Sequence, residues 1–309
     1  MNFFKPNFWD KNKISFLSIL LFPISLLVKL LIFLNYSLTK THSFSIPIIC
    51  VGNIYVGGTG KTPLSIEIFS ILKSLNINPA FIRRQYSSFQ DELNLLEKSG
   101  ATYQNKKRNN AIREAIRNNV EAAILDDGFQ DLSINKNLSI VCFNEKQWIG
   151  NGLVIPSGPL REPLSSLKRA HCVVINGNKN INIENIILKY NNKIKIFYTE
   201  YLPRNIEELK NKKITAFAGI GNPENFFNLL KDYNIEIKKS IKFPDHYNYS
   251  GKELDNLINE AKENNTILLT TEKDYFRINE NYRKKISYLK IIVSIKNRDN
   301  FINEIKRVL

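Results

Sequence analysis

Cysteine and histidine are both scarce in this chain of 309 residues, which has three of each. Cys50, Cys142 and Cys172 stand singly in or beside apolar runs with no CxxC pair. That excludes a disulfide framework and reads as small buried hydrophobes in a reducing compartment. His42, His171 and His246 are too few for a dense metal cluster, although any one of them can serve in catalysis. No internal repeat is evident, and no small-residue cleavage site follows the apolar N-terminal stretch, which argues against a cleaved signal peptide. The formal charge of +15 comes without a nucleic-acid-binding motif. It fits either an anionic surface, such as an acidic membrane, or a chain-wide bias toward Lys, Asn and Ile. No nucleic-acid partner is expected.

What is present begins with residues 14–34, ISFLSILLFPISLLVKLLIFL, the most apolar stretch and of roughly the length that spans a bilayer core. On a helix, Lys11, Ser15, Ser18, Ser25 and Lys29 share one narrow stripe while Leu, Ile and Phe cover the rest. That pattern fits a helix lying in a lipid interface better than one crossing it, and Pro23 predicts a kink or a division. Phe3, Phe4, Phe8 and Trp9, interleaved with Lys5, Lys11 and Lys13, resemble an aromatic and basic flank at a headgroup layer. A helix buried within the protein is the alternative.

A second absence sits in VGNIYVGGTGKTPLSIEIF, residues 51–69. A strict GxxxxGK(S/T) loop needs glycine five places before Gly60, where this chain has Tyr55. The context nonetheless has meaning. SIPIICV (residues 45–51) reads as a buried parallel strand, and Leu64, Ile68, Ile71, Leu72 and Leu75 recur at helical spacing, so the order is strand, loop, helix. Gly57, Gly58, Thr59 and Gly60 let successive amides and a helix N-terminus face phosphate oxygens. Lys61 would reach the β and γ phosphates of ATP, and the Thr62 hydroxyl would ligate Mg²⁺. EAAILDDGFQD, residues 121–131, ends a strand in Asp126 and Asp127. After a phosphate loop these are candidate ligands of Mg²⁺ or its water shell; by themselves they read equally as an Asp-Gly turn.

VGNIYVGGTGKTP, LDDGFQ, GNGLVIPSGPLREP (150–163), AGIGNPENFF (218–227), FPDHY (243–247) and TEKD (271–274), in this order, resemble the tetraacyldisaccharide 4'-kinase family, the lipid A 4'-kinases. The resemblance implies transfer of the ATP γ-phosphate to the 4'-hydroxyl of a tetraacylated glucosamine disaccharide 1-phosphate, giving lipid IVA at the cytoplasmic face of the inner membrane. It also implies that the early glycine is dispensable. It assigns FQDELNLLEKS to the place of the family's Gly-Asp-Glu-Pro stretch, so that Asp91 becomes the base on the sugar hydroxyl, His246 its partner and Glu92 a further metal ligand. A carboxylate can accept that proton, and a histidine within reach can orient it. The chain departs from the family at RRQYSS (83–88), where a longer loop is usual, and at Asp131, where histidine is usual. Arg161 in GPLREP either touches substrate phosphate or sugar or belongs to a Pro-framed surface loop.

Apolar strands alternating with helical stretches predict an α/β fold: a P-loop NTPase-like, mostly parallel sheet, a second smaller α/β domain and the N-terminal hydrophobic helix. The expected domains are 1–40 for membrane docking, 41–206 for the kinase and 207–309 for a smaller domain closing the active-site cleft. Residues 176–195, rich in Asn and Lys, read as a solvated excursion. Asn222 is an expected N-cap, with Pro223 and Glu224 in the first turn. The rival function is a P-loop ATPase or GTPase switch, or a metallocentre-insertion factor, acting on a partner protein. The kinase reading requires ATP, Mg²⁺, a lipid disaccharide and a lipid surface, and no obligate protein partner.

Overall fold

Ser15 opens the longest helix of the computed structural model, its side chain accepting the Ser18 N–H. The structure describes residues 6–10, 13–85 and 90–309, and the side chains of Gln90 and Asp91 lie outside the described set. Helix α1 (Phe16–Leu38) continues through Pro23 without dividing. The proline is on the exposed side, where its ring meets no packed neighbour helix, and one lost backbone bond is small beside those a helix of this length keeps.

The elements then run β1 (Ile48–Gly52), α2 (Lys61–Ser74), β2 (Pro79–Arg84), α3 (Gln90–Ser99), β3 (Thr102–Asn105), α4 (Arg108–Arg117), β4 (Ala122–Asp126), β5 (Leu138–Asn144), β6 (Cys172–Asn176), α5 (Ile181–Tyr190) and β7 (Lys195–Pro203). There follow β8 (Lys213–Ala218), α6 (Pro223–Asp232), β9 (Glu236–Lys242), α7 (Gly251–Glu263), β10 (Ile267–Thr271), α8 (Glu272–Arg277), α9 (Glu280–Arg283), β11 (Ser287–Leu289), β12 (Ile291–Ile295) and α10 (Arg298–Lys306).

An eight-stranded sheet has the order β12-β7-β6-β5-β1-β4-β2-β3, and a four-stranded sheet the order β11-β10-β8-β9. β1 lies between β4 and β5, parallel to both, and every residue of β1, β4 and β5 is buried. Burial on both faces explains why these strands are continuous β-branched and apolar runs with no alternation. The fold is the expected one: α/β, largely parallel, with a second sheet and an apolar N-terminal helix.

Two units are distinguishable. The larger gathers the described residues of Lys5–Tyr86, Ser99–Glu200 and Val293–Leu309; the smaller gathers those of Ser87–Lys98 and Tyr201–Ile292. The C-terminal helix α10 thus belongs with the larger unit and most of α3 with the smaller. Ile48, Cys50, Ala123, Leu125, Val141, Phe143 and Val173 anchor the larger core. The smaller unit packs Ile214, Ala216, Phe227 and Leu230 on one side and Phe217, Leu254, Leu257 and Ile258 on the other.

Two local expectations change. Residues 176–195 are not a solvated excursion: Asn180 caps α5 by accepting from the Asn182 and Ile183 amides, and Ile183 and Ile187, one turn apart, are buried. The polar stripe of α1 is covered by protein at its centre, with Ser15 and Lys29 half-buried. Ser18 and Ser25 are fully buried against the protein, while Phe16, Leu20, Leu27, Leu31 and Phe33 are each at least half exposed. Lys11 lies outside the described residues. Asn222, as expected, stands at the N-cap of α6 with Pro223 in its first turn, but its side chain makes no capping bond.

Candidate active site

The phosphate loop leaves β1 where Val51 pairs with Asp126 of β4, so the register alone sets the two acids beside the glycine turn. Gly52 is required by crowding: a Cβ there would come within 2.5 Å of Phe129 Cβ. Gly57 and Gly60 have φ of +132° and +87°, conformations that side chains resist, while around Gly58 nothing lies within 4 Å of where a Cβ would be. Gly60 forms the left-handed N-cap of α2, and Lys61 and Thr62 are its first residues. The helix N-terminus and its unpaired amides thus face the turn that the sequence assigns to phosphate.

Asn53 organises this turn from inside. Fully buried, it donates through Nδ2 to Thr59 Oγ1 at 2.9 Å and Gly57 O at 3.3 Å, and its own carbonyl accepts from Gln130 Nε2 at 2.8 Å. On the far side, Asp126 is 1% exposed; its Oδ1 accepts from Ser65 Oγ at 3.0 Å, and its Oδ2 lies 3.5 Å from Thr62 Oγ1. This pair of hard oxygen ligands fits Mg²⁺, which keeps several waters and takes its remaining ligands from phosphate. Among the described residues no group of three or more His, Cys, Asp or Glu could hold a metal ion without such help.

Asp127 collects cations. Arg161 Nη1 donates to both its carboxylate oxygens at 2.9 and 3.0 Å, and Lys61 Nζ lies 3.8 Å from Oδ1. Burial by itself would raise this carboxyl, but Lys61, Arg161 and Arg108 together bring it down to about 2. Its backbone is left-handed, with φ of +51°. Arg161 is therefore no bystander of a surface loop: its N–H donates to Ile54 O at 2.7 Å, which stitches its loop to the phosphate loop.

In the smaller unit a second polar cluster forms. His246 has φ of +56°, and its backbone N–H reaches Gly219 O at 3.1 Å and Asp245 Oδ1 at 3.0 Å. Its Nε2 is 3.3 Å from Lys273 Nζ, which also donates to Glu92 Oε1 at 3.0 Å. Glu92, expected at a metal, is here held by an ammonium. The side chain of Asp91, the expected base, lies outside the described residues.

Sequence reasoning missed several residues. Arg108, buried at the start of α4, donates to Asp127 O at 2.8 Å and to Asp131 Oδ2 at 3.2 Å. Asp131 also accepts from Ser133 Oγ and N–H; against burial, these partners and Arg108 hold its carboxyl below the usual range. The acid at this position thus becomes the partner of a buried arginine. Nothing in NKKRNNAIR distinguishes Arg108 from its basic neighbours. Asn53, Gln130 and Lys273 lie inside the recognised motifs, which was their only signal. The cysteines behave as read: burial pushes Cys50 up to about 11, and Cys142 and Cys172 up to about 12, so they stay thiols.

The tetraacyldisaccharide-1-P 4'-kinase family model matches residues 17–309. The tetraacyldisaccharide 4'-kinase of Pelagibacter ubique (strain HTCC1062) is 44% identical over 304 residues, covering 97% of this chain and 96% of the relative. That of Rickettsia akari (strain Hartford) is 35% identical over 316 residues, covering 97% and 95%. Among solved structures, LpxK from Aquifex aeolicus, crystallised in complex with ATP, superposes with a TM-score of 0.73 at 25% identity, covering 94% of this chain and 99% of that one. A match that spans both units, on a strand-loop-helix cradle with the acids in register beside it, leaves one assignment: the chain belongs to the tetraacyldisaccharide 4'-kinase family.

Proposed function

We propose that this protein transfers the γ-phosphate of ATP to the 4'-hydroxyl of a tetraacylated glucosamine disaccharide 1-phosphate, the lipid A 4'-kinase reaction. The supporting observation is the cation cluster at the phosphate loop: Lys61 and Arg161 converge on Asp127 beside a glycine turn that terminates in a helix N-terminus. In the reaction a bond forms between the sugar oxygen and the γ-phosphorus as the bond from that phosphorus to the ADP oxygen breaks. The protein's share is positioning and electrostatic stabilisation. The amides of residues 57–62 cradle the triphosphate, Lys61 draws the γ-phosphoryl oxygens, and Arg161 faces the transferring group or the substrate's own phosphate. Thr62 and Asp126 would hold Mg²⁺, which neutralises phosphate charge when bound. Asp91 accepts the sugar hydroxyl proton, and His246 orients it, with Lys273 and Glu92 fixing the imidazole's surroundings.

The exposed apolar face of α1 supports docking at the cytoplasmic surface of the inner membrane, where ATP and an acylated substrate are both available. ADP release measured in detergent micelles tests the reading. It should be strictly dependent on added disaccharide; release that rises instead with a protein partner would overturn it.

A further inference from the structure

Ser25 of α1 is buried against a segment, residues 154–161, that also bonds the phosphate loop. Ser25 Oγ donates to Val154 O at 2.8 Å, lies 2.8 Å from Ser157 Oγ and accepts the Ser157 N–H at 3.0 Å. Both serines are wholly inaccessible. A little further along, the same segment bonds the phosphate loop: Val56 N–H donates to Pro159 O at 2.8 Å and Arg161 N–H to Ile54 O at 2.7 Å. Tyr55, standing where the strict motif has glycine, closes the circuit. Its ring is fully buried with Val154 and Leu160, and Val28 and Ile32 of α1 pack on that group. Its hydroxyl donates to Asp10 Oδ1 at 2.7 Å, just ahead of the helix. The side chain also lines Gly57, where an added Cβ would sit 3.6 Å from Tyr55 Cε1.

We infer that Ser25 and Tyr55 are positioning residues through which the seating of the lipid-facing helix fixes the phosphate loop and Arg161. An anchor serving only to hold the protein at a surface would need no dry, hydrogen-bonded joint to its nucleotide cradle. A flexible tether would suffice. Here the joint of Ser25 with Ser157 and Val154 is buried, so its hydroxyls cannot exchange protein partners for water, and losing one is transmitted to the backbone it holds. The physical consequence is that α1 is part of the catalytic unit.

The test uses the full chain in detergent micelles and rests on the kinase reading only for its turnover arm. MgATP affinity is measured without disaccharide, and kcat and both KM values are measured with it, for Ser25→Ala, Ser25→Val, Tyr55→Phe and the Ser25→Ala/Ser157→Ala pair. Ser25→Val should weaken MgATP binding and lower kcat, each by about tenfold, the loss of one well-made buried hydrogen bond. The hydroxyl deletions should move both in the same direction by less. The double variant should cost little more than Ser25→Ala alone, because the hydroxyl of Ser157 bonds to that of Ser25. Micelle retention should be unchanged, since the apolar face is untouched. A lowered melting temperature with MgATP affinity and kcat intact would reduce the joint to a structural seam and overturn the inference. Should Ser25→Val not fold, Ser25→Ala and Tyr55→Phe decide by the same readouts. A wild type that binds ATP but phosphorylates nothing would sink the kinase reading, leaving the affinity arm to judge this one.

Discussion

The two polar centres of the molecule are built in opposite ways. In the larger unit the candidate phosphate site comes from short consecutive stretches, residues 57–62 and 126–127, joined by the pairing of β1 with β4 and completed by Arg161. In the smaller unit Glu92, His246 and Lys273 meet although Glu92 and Lys273 are 181 positions apart in the chain. The first centre is a backbone device, shaped by glycine geometry and a helix terminus, and its side chains are compensated ion by ion around Asp127. The second is a side-chain device that depends on long-range packing. The glycine turn therefore keeps its geometry without the early glycine, with Tyr55 buried in that place, while the second cluster exists only where distant segments meet.

The largest effect should come from the proposed proton acceptor. Asp91→Asn should lower kcat by about 10²–10⁴-fold, the usual contribution of a general base, and leave MgATP affinity unchanged. If turnover survives while Asp127→Ala abolishes it at saturating Mg²⁺, the base belongs to the other centre and the contrast fails. Lys61→Ala comes next, at about 10²–10³-fold in kcat/KM with the melting temperature preserved, as for removal of one preorganised donor to a charged transition state. Near-normal phosphoryl transfer would refute its role at the γ-phosphate. Lys273→Met should sharpen the contrast through stability: Glu92 loses its ammonium, and denaturant unfolding should show a loss of about 1–3 kcal/mol.

The smallest effect concerns pH. The Asp127 carboxyl is held at about 2. Its pairing therefore contributes in full above the unfolded carboxylate value of about 4 and is lost as pH falls through about 2. Asp127→Asn should flatten the acid limb of a melting-temperature profile within that window; an unchanged limb would mean the ion pairs contribute nothing.

The same contrast governs what could be read in advance. The strand-loop-helix order, the glycine turn, Thr62 and the acids were legible because each rests on neighbours in sequence and on period. Arg108 was not, since its value lies in reaching the Asp127 carbonyl and Asp131, a pairing that nothing local encodes. Lys273 was visible only as part of a quoted motif. The stripe on α1 was read as one face, and its middle, Ser18 and Ser25, is covered by protein. Periodicity says which residues share a side and is silent on whether protein, lipid or water covers it. For α5, Ile and Asn spoke weakly for helix, and the Asn180 cap with two buried isoleucines prevailed.

The most direct measurement is the identity of the product. Disaccharide 1-phosphate incubated with MgATP in micelles and analysed by mass spectrometry and phosphorus NMR should acquire one phosphate, on the 4'-oxygen, with wild type and not with Lys61→Ala. ATP hydrolysed to free phosphate, with the disaccharide recovered unchanged or modified at another oxygen, would contradict the account.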